Sequence, residues 1–261
     1  MSASGDARRN EIRHAFERAA ATYDRAANVQ RAAMARLFAF ARACPPASPV
    51  RRVLDAGCGT GQALPWLAAR FPRAQCIGLD FSAAMLARLS EASPVCADIE
   101  RLPFAEASFD LYWSSLALQW CDPAAALAEA ARVLTPGGMA WIATLGPHTL
   151  HELRAAFAAV DDDVHVIDFF STAQWLAAAG AAGLVAEAHA GEPLHELAAD
   201  LRALLGNIKA VGARAVDGRR RRPLGRRGWL LLQSAYEAFR RPDGALPATY
   251  DLILLVLRKP A

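Results

Sequence analysis

The sequence predicts an α/β fold in which a mostly parallel sheet carries helices on both faces. Three observations predict it. Short apolar runs recur and end at an acid, at Asp55, Asp80 and Asp98. Each is followed by a turn, and Ala-rich helical stretches alternate with the runs. A glycine-rich bend, Gly57-Cys58-Gly59-Thr60-Gly61, joins the first run to its helix. Repeated strand-turn-helix order buries a parallel sheet between helical layers through right-handed connections.

The elements follow in order. Asn10 to Ala43 is rich in Ala, Arg and Glu, lacks Gly and Pro, and reads as helix with a break at Tyr23-Asp24. Pro45, Pro46 and Pro49 form a linker. Arg51 to Asp55 is the first strand, and Gln62 to Phe71 continues the glycine bend as helix. Gln75 to Asp80 is the second strand, and Ser82 caps the helix Ala83 to Ser90. Pro94 to Ala97 and Phe109 to Ser114 are the next strands. Asp122-Pro123 opens a helix with Asp as cap and Pro at its first position. Gly137-Gly138 turns into the strand Met139 to Leu145. Thr149 to Val160 and Ser171 to Ala179 read as helices, Leu184 to His189 as strand, Pro193 to Ala210 and Arg226 to Arg240 as helices, and Thr249 to Leu257 as a final strand.

Composition bounds the function. With 261 residues, 54% apolar and 21% charged, the chain can bury a large core, and wholesale disorder is excluded. No apolar run reaches the roughly 18 to 20 residues that span a bilayer. The start, Met1 to Asp6, is polar and lacks the apolar stretch of a secretory signal. The expectation is a soluble cytoplasmic monomer with no membrane partner. Five scattered cysteines, never spaced as a CxxC pair, argue against a disulfide framework or a structural zinc site, and no metal is expected.

The glycine bend is informative through its context. Alternate glycines allow a tight turn and close approach of a ligand to the backbone. Asp80 ends the next strand 19 residues after Gly61, where a carboxylate can accept both ribose hydroxyls. Asp98 ends the third strand, where it can accept from an adenine amino group while Ile99 packs on the ring. Asp55 stands where a dinucleotide would bring phosphate, and a carboxylate there repels it. Three strand-end acids around one glycine loop therefore favour a nucleoside that carries positive charge. S-adenosylmethionine has a ribose, an adenine, a sulfonium and an ammonium.

These residues resemble the class I S-adenosylmethionine-dependent methyltransferases, Asp55 to Gly61 matching their first motif and Asp80 their ribose-binding acid. Within that superfamily the chain is similar to the malonyl-acyl-carrier-protein O-methyltransferases of biotin synthesis. The likeness rests on Phe16 to Asp24, Ala97 to Phe104, Trp113 to Cys121, Asn207 to Ala213 and Leu246 to Tyr250, and runs from about Arg8 to about Leu257. The resemblance implies a Rossmann-like, seven-stranded, mostly parallel sheet with a helical lid or cap. It divides the chain into a lid over 1–45, a cofactor-binding core over 46–192, a cap with a basic segment over 193–245, and a final strand over 246–261 that completes the sheet. The implied cofactor contacts are Asp55, Gly57, Gly59, Gly61, Asp80, Asp98, Ile99 and Leu116. The implied reaction esterifies the free carboxylate of malonyl-acyl carrier protein or malonyl-CoA and leaves S-adenosylhomocysteine. The same resemblance extends to carboxyl methyltransferases for other small acids, such as trans-aconitate, and to an assembly factor that hydroxylates without methyl transfer.

Methyl transfer to a carboxylate needs no general base, because the acid is already ionised at pH 7. Alignment and exclusion of water remain for the protein to supply. Tyr23 is the candidate lid residue, its alternative being a helix-end Tyr packed on the core. Gln119 and Trp120 follow the fourth strand at the carboxyl edge of the sheet. Gln119 is a candidate for contacting methionine or substrate, and Trp120 for substrate or ordinary core. His14 is a candidate substrate contact or a solvated helix residue. Lys209 and Arg214 are candidates for the substrate carboxylate or a phosphopantetheine phosphate, or lie on a solvated face. Net charge is only +3, yet Gly206 to Leu230 holds eight basic residues against Asp217 alone. A localised anionic partner follows. Arg219, Arg220 and Arg221, with Arg222, are the candidates for docking an acidic carrier protein. The segment has no interleaved aromatics for base stacking, so nucleic acid ranks below it.

Overall fold

The computed structural model describes residues 3–89, 93–211 and 224–261. Its strands are β1 Arg52–Ala56, β2 Gln75–Asp80, β3 Ser93–Cys96, β4 Phe109–Ser115, β5 Leu134–Leu145, β6 Val185–Ala198 and β7 Leu246–Arg258. The helices are α1 Ala3–Ala19, α2 Tyr23–Ala26, α3 Asn28–Ala41, α4 Leu64–Arg70, α5 Ala83–Leu86, α6 Pro123–Val133, α7 His151–Phe157, α8 Thr172–Ala181, α9 Leu201–Ala210 and α10 Arg226–Tyr236. The strands form one sheet in the order β3-β2-β1-β4-β5-β7-β6. β1, β2, β3, β4 and β5 pair in parallel, and β7 runs antiparallel to β5 from Met139↔Arg258 to Leu145↔Leu252. This is the mostly parallel, seven-stranded architecture that the sequence predicts.

The chain forms two compact units. The sheet unit comprises Gln30–Gly146, Phe170–Glu192 and Leu252–Ala261. Val53, Leu54 and Ala56 of β1 are fully buried, as a central strand covered on both faces requires. On one face Leu54, Tyr112, Ala140, Ile142 and Leu255 join a cluster with Leu127 and Ala130 of α6 and Trp175 of α8. On the other face Phe38 of α3 lies 4.2 Å from Trp113, which meets Trp141 edge-on at 6.4 Å. The caps fall where the sequence puts them. Asp122 accepts from Ala125 N at 2.9 Å with Pro123 opening α6, and Ser82 accepts from Met85 N at 3.3 Å.

The strand order reverses direction at β1 and β4. At such a point open α/β sheets bind ligands in the crevice beyond the carboxyl ends of the strands. Ser114 Oγ on β4 donates to Ala56 O on β1 at 2.8 Å, fastening the two strands just below that crevice.

The second unit comprises Met1–Val29, Pro147–Phe169 and Pro193–Asp251. Glu152 of α7 is buried and accepts from the backbone N–H of Thr249 at 3.1 Å and from the Thr249 hydroxyl. Tyr236 of α10 donates to Pro247 O at 2.9 Å. Among the described residues no helix is long and apolar enough to cross a membrane.

Some boundaries differ from expectation. The helix expected from Pro193 begins only at Leu201, with Asp200 accepting from Ala203 N at 2.8 Å. Residues 193–198 instead continue β6, with Leu194 and Glu196 buried and His195 and Leu197 exposed, a period of two. Strand pairing there overrides the helical preference of Leu, Glu and Ala. β5 starts at Leu134, and the expected turn Gly137-Gly138 lies inside it. β7 starts at Leu246, three residues early. The helix expected over 149–160 is α7, and Leu150 before it is left-handed at φ +54°.

Replacing Trp175, fully buried in the sheet-unit cluster, by Ala is expected to lower stability by about 3–5 kcal/mol. Replacing Trp66, 45% exposed, is expected to cost about 1 kcal/mol or less. Urea denaturation midpoints of the two variants check the contrast.

Candidate functional site

The site is assembled within the sheet unit by the loops that follow β1, β2, β3 and β4. After β1 the chain bends through Gly57, Gly59 and Gly61, all with positive φ, at +78°, +55° and +82°. Gly57 N and Cys58 N donate to Leu79 O of β2 at 2.7 and 2.9 Å. A Cβ on Gly57 would stand 2.2 Å from the Ala117 Cβ and 3.2 Å from Ile99 Cδ1. The bend therefore lies against the loops after β3 and β4, and only glycine permits that approach.

Two carboxylates face this bend in different states. Asp80, at the end of β2, is buried and accepts from Gly59 N at 3.0 Å through one oxygen and from Ser82 N at 2.8 Å through the other. Burial pushes its carboxyl above the usual range, and the backbone N–H groups of Ser82, Gly59 and Phe81 pull it back. Asp55 is 2% exposed, and its Oδ2 has no hydrogen-bond partner. Burial, reinforced by the neighbouring Asp80, pushes its carboxyl up to about 8. Burial and both carboxylates also raise the Cys58 thiol, which holds it neutral and makes it a poor nucleophile.

The remaining loops complete the rim. Asp98 accepts from Glu100 N at 2.9 Å, and the adjoining Ile99 is buried beside Gly57. Glu100 Oε1 accepts from Asp122 N at 2.6 Å, tying the β3 loop to the start of α6. Beyond β4, Leu116 is left-handed at φ +52°, and its N–H donates to Ala143 O at 2.8 Å. Gln119 donates from Nε2 to Leu116 O at 2.7 Å, while its buried Oε1 has no partner. Trp120 is half-buried in the same short 3-10 turn, Leu118–Trp120.

The structure thus brings together Asp55, Gly57, Gly59, Asp80, Ile99, Leu116 and Gln119, with Gly61 closing the bend and Asp98 at its margin. Tyr23, His14 and Lys209 belong to the second unit. Tyr23 is half-buried at the start of α2, its ring centroid 6.5 Å from that of Phe16. His14 is on α1, with Nδ1 3.0 Å from Glu17 Oε2. Lys209 is exposed on α9. Arg214, Arg219, Arg220 and Arg221 lie outside the described residues. Sequence reasoning missed Ser114, Ala117 and Glu100, which fasten the site but are neither strand-end acids nor part of the bend. A small residue at 117, opposite Gly57, was their one available signal.

Chemically the site offers acceptors and negative charge. The unpartnered Asp55 Oδ2 and Gln119 Oε1 call for donors, and two buried carboxylates call for a cation. That acceptor set fits a cationic nucleoside and opposes a pyrophosphate. Among the described residues no group of three or more His, Cys, Asp and Glu side chains is arranged to hold a metal ion.

Comparison with known proteins agrees with this chemistry. The methyltransferase domain family matches residues 54–142. A malonyl-acyl-carrier-protein O-methyltransferase of Dechloromonas aromatica is 48% identical over 254 residues, covering 95% of this chain and 94% of that protein. One of Laribacter hongkongensis is 41% identical and covers 97% and 90%. A biotin biosynthesis bifunctional protein of Cellvibrio japonicus is 39% identical over 97% of this chain and 50% of its own length. Among solved structures, a putative methyltransferase of Bacillus halodurans superposes with a TM-score of 0.59 at 18% identity, covering 87% of this chain and 99% of that one. A geranyl diphosphate methyltransferase in complex with S-adenosylmethionine superposes at 0.52 with 16% identity over 87% and 85%. These two likenesses establish the fold.

A buried acid with a raised pKa opposes folding, because the unfolded carboxyl ionises near 3.8 while the folded one retains its proton to about 8. The opposition grows as pH rises from 3.8 to 8. Asp55→Asn is therefore expected to raise the melting temperature of the ligand-free protein more at pH 8 than at pH 5, as thermal denaturation at the two pH values would measure.

Proposed function

The chain belongs to the malonyl-acyl-carrier-protein O-methyltransferase family, and from that premise we propose that it esterifies the free malonyl carboxylate of malonyl-acyl carrier protein with a methyl group from S-adenosylmethionine. The observation that carries this reading is the unpartnered carboxylate of Asp55, buried beside Asp80 in a glycine-lined bend. When bound there, S-adenosylmethionine supplies an electrophilic methyl group on a sulfonium.

The chain's own residues do the rest. Asp55 and the free acceptor Gln119 Oε1 hold the positively charged methionine end. Asp80 accepts from the ribose hydroxyls, and the amides of Gly59 and Ser82 hold its carboxylate in place for them. Asp98 accepts from the adenine amino group, and Ile99 packs on the ring. Gly57, Gly59 and Gly61 let the backbone approach closely, and Leu116 lines the methionine side.

The substrate carboxylate needs no base, so positioning is the main catalytic task. Tyr23 and Gln119 are our candidates for positioning the reacting groups, Tyr23 as a phenol that can donate to that carboxylate. His14 and Trp120 are candidates for contacting the acyl group. Lys209 and Arg214 are candidates for the carboxylate or a carrier phosphate, and Arg219, Arg220 and Arg221 for the carrier protein. Esterification removes a charge whose desolvation would bar the acyl chain from an apolar tunnel. That chemistry fits a place early in biotin synthesis, in line with the name of the Cellvibrio relative.

Incubation with methyl-labelled S-adenosylmethionine and malonyl-acyl carrier protein is expected to give a base-labile methyl ester and one S-adenosylhomocysteine per ester. Label retained entirely on the donor would reject the reading. Asp80→Ala is expected to weaken donor binding by roughly a hundredfold or more, the loss of two hydrogen bonds to a charged acceptor. Equilibrium binding of S-adenosylhomocysteine measures it.

A further inference from the structure

Helix α10 carries a charge pattern that opposes its own stability. Arg226 and Arg227 occupy its first turn, where the backbone N–H groups already present partial positive charge. Gly225 precedes them without a side-chain cap. Both arginines are exposed. One turn further, Leu230 is 55% and Leu231 is 43% exposed. The spacings 226/230 and 227/231 put each leucine directly above an arginine on the outward side of the helix.

The inward side is occupied. Leu232 and Tyr236 are buried, and a Cβ on Gly228 would stand 3.2 Å from Leu224 Cγ and 3.5 Å from Val160 Cγ1. The rotation of α10 is therefore fixed, and among the described residues its outward leucines are left largely exposed. Arg202 of α9 extends the basic surface, its guanidinium 5.3 Å above the Trp229 ring. Neither α9 nor α10 contains an acidic residue. The flanking carboxylates are engaged, Asp200 in capping α9 and Glu237 in pairing with Arg240 at 2.6 Å.

Cations at the positive end of a helix, beside exposed leucines and on helices that carry no acidic residue, form a surface complementary to an anionic partner with apolar residues. We propose that the outward face of α10, Arg226, Arg227, Leu230 and Leu231 with Arg202 beside them, docks the acidic surface of the acyl carrier protein. This rests on the methyl-transfer reading above and adds to it the described surface that receives the protein part of the substrate. The arginines meet carboxylates on the carrier and relieve the unfavourable helix end, and the two leucines bury against an apolar strip between them.

The test is direct binding of holo-carrier protein, which lacks the malonyl group, measured by fluorescence anisotropy at several salt concentrations. The proposal expects Arg226→Glu/Arg227→Glu to weaken binding at least tenfold and to flatten its salt dependence. Leu230→Ala/Leu231→Ala should weaken binding while leaving the salt slope unchanged. Both double variants should keep wild-type affinity for S-adenosylhomocysteine, which separates a lost surface from a lost fold. Unchanged carrier affinity in both double variants would overturn the proposal. So would a wild-type protein that binds anionic lipid vesicles through these residues in preference to the carrier. If the wild type makes no methyl ester, the reading beneath falls first. If it makes the ester and both variants still bind the carrier, only this surface is rejected.

Discussion

Everything in the sheet unit's site depends on placing two carboxylates where neither is comfortable. Asp55 and Asp80 end neighbouring parallel strands, so the pairing that builds the sheet also puts them on either side of the glycine bend. The backbone resolves half of the conflict. Gly59 and Ser82 donate to Asp80 and stabilise its charge. Asp55 receives no such help at Oδ2 and keeps its proton well into the neutral range. Binding a cation supplies the missing counter-charge, so energy that opposes folding in the free protein becomes affinity for the ligand.

The glycines serve the same end. Gly57 needs its positive φ and the space that Ala117 leaves, and the contact with Ile99 brings the β3 loop to the bend. The Ser114 to Ala56 hydrogen bond fastens β4 to β1 at the point where the strand order reverses. Leu116, left-handed and anchored by Ala143 O, then directs its own carbonyl to Gln119 Nε2. That anchor leaves Gln119 Oε1 available as an acceptor. The site thus offers rigidity, acceptors and negative charge, while the reactivity comes from the donor and the substrate carboxylate.

The legible part of this protein in its sequence is the local part. Asp55 and Asp80 at the carboxyl ends of their strands, the alternate glycines, and the caps at Ser82 and Asp122 each depend on residues a few positions apart, and the structure has them there, whereas Asp98 lies two residues beyond the end of β3. The contacts between distant loops were not legible. Ser114 meets Ala56 across 58 residues, Glu100 caps the N–H of Asp122, and Ala117 faces Gly57. Residues 193–198 read as helix in the sequence because Leu, Glu and Ala favour one locally, whereas their place at the end of a long β6 is decided by pairing. The arginine run is legible as composition, whereas the shared face of arginines and leucines on the adjoining helix is defined by which side of that helix is buried.

The most direct measurement is the proton balance of ligand binding. Calorimetric titration with S-adenosylhomocysteine in buffers of different ionisation enthalpy counts the protons released. With Asp55 raised to about 8 when free and ionised when bound, the account predicts release of most of a proton at pH 6.5 that falls away as pH rises through that value, and release abolished by Asp55→Asn. Binding without proton release at pH 6.5, or release that persists unchanged in Asp55→Asn, would contradict it.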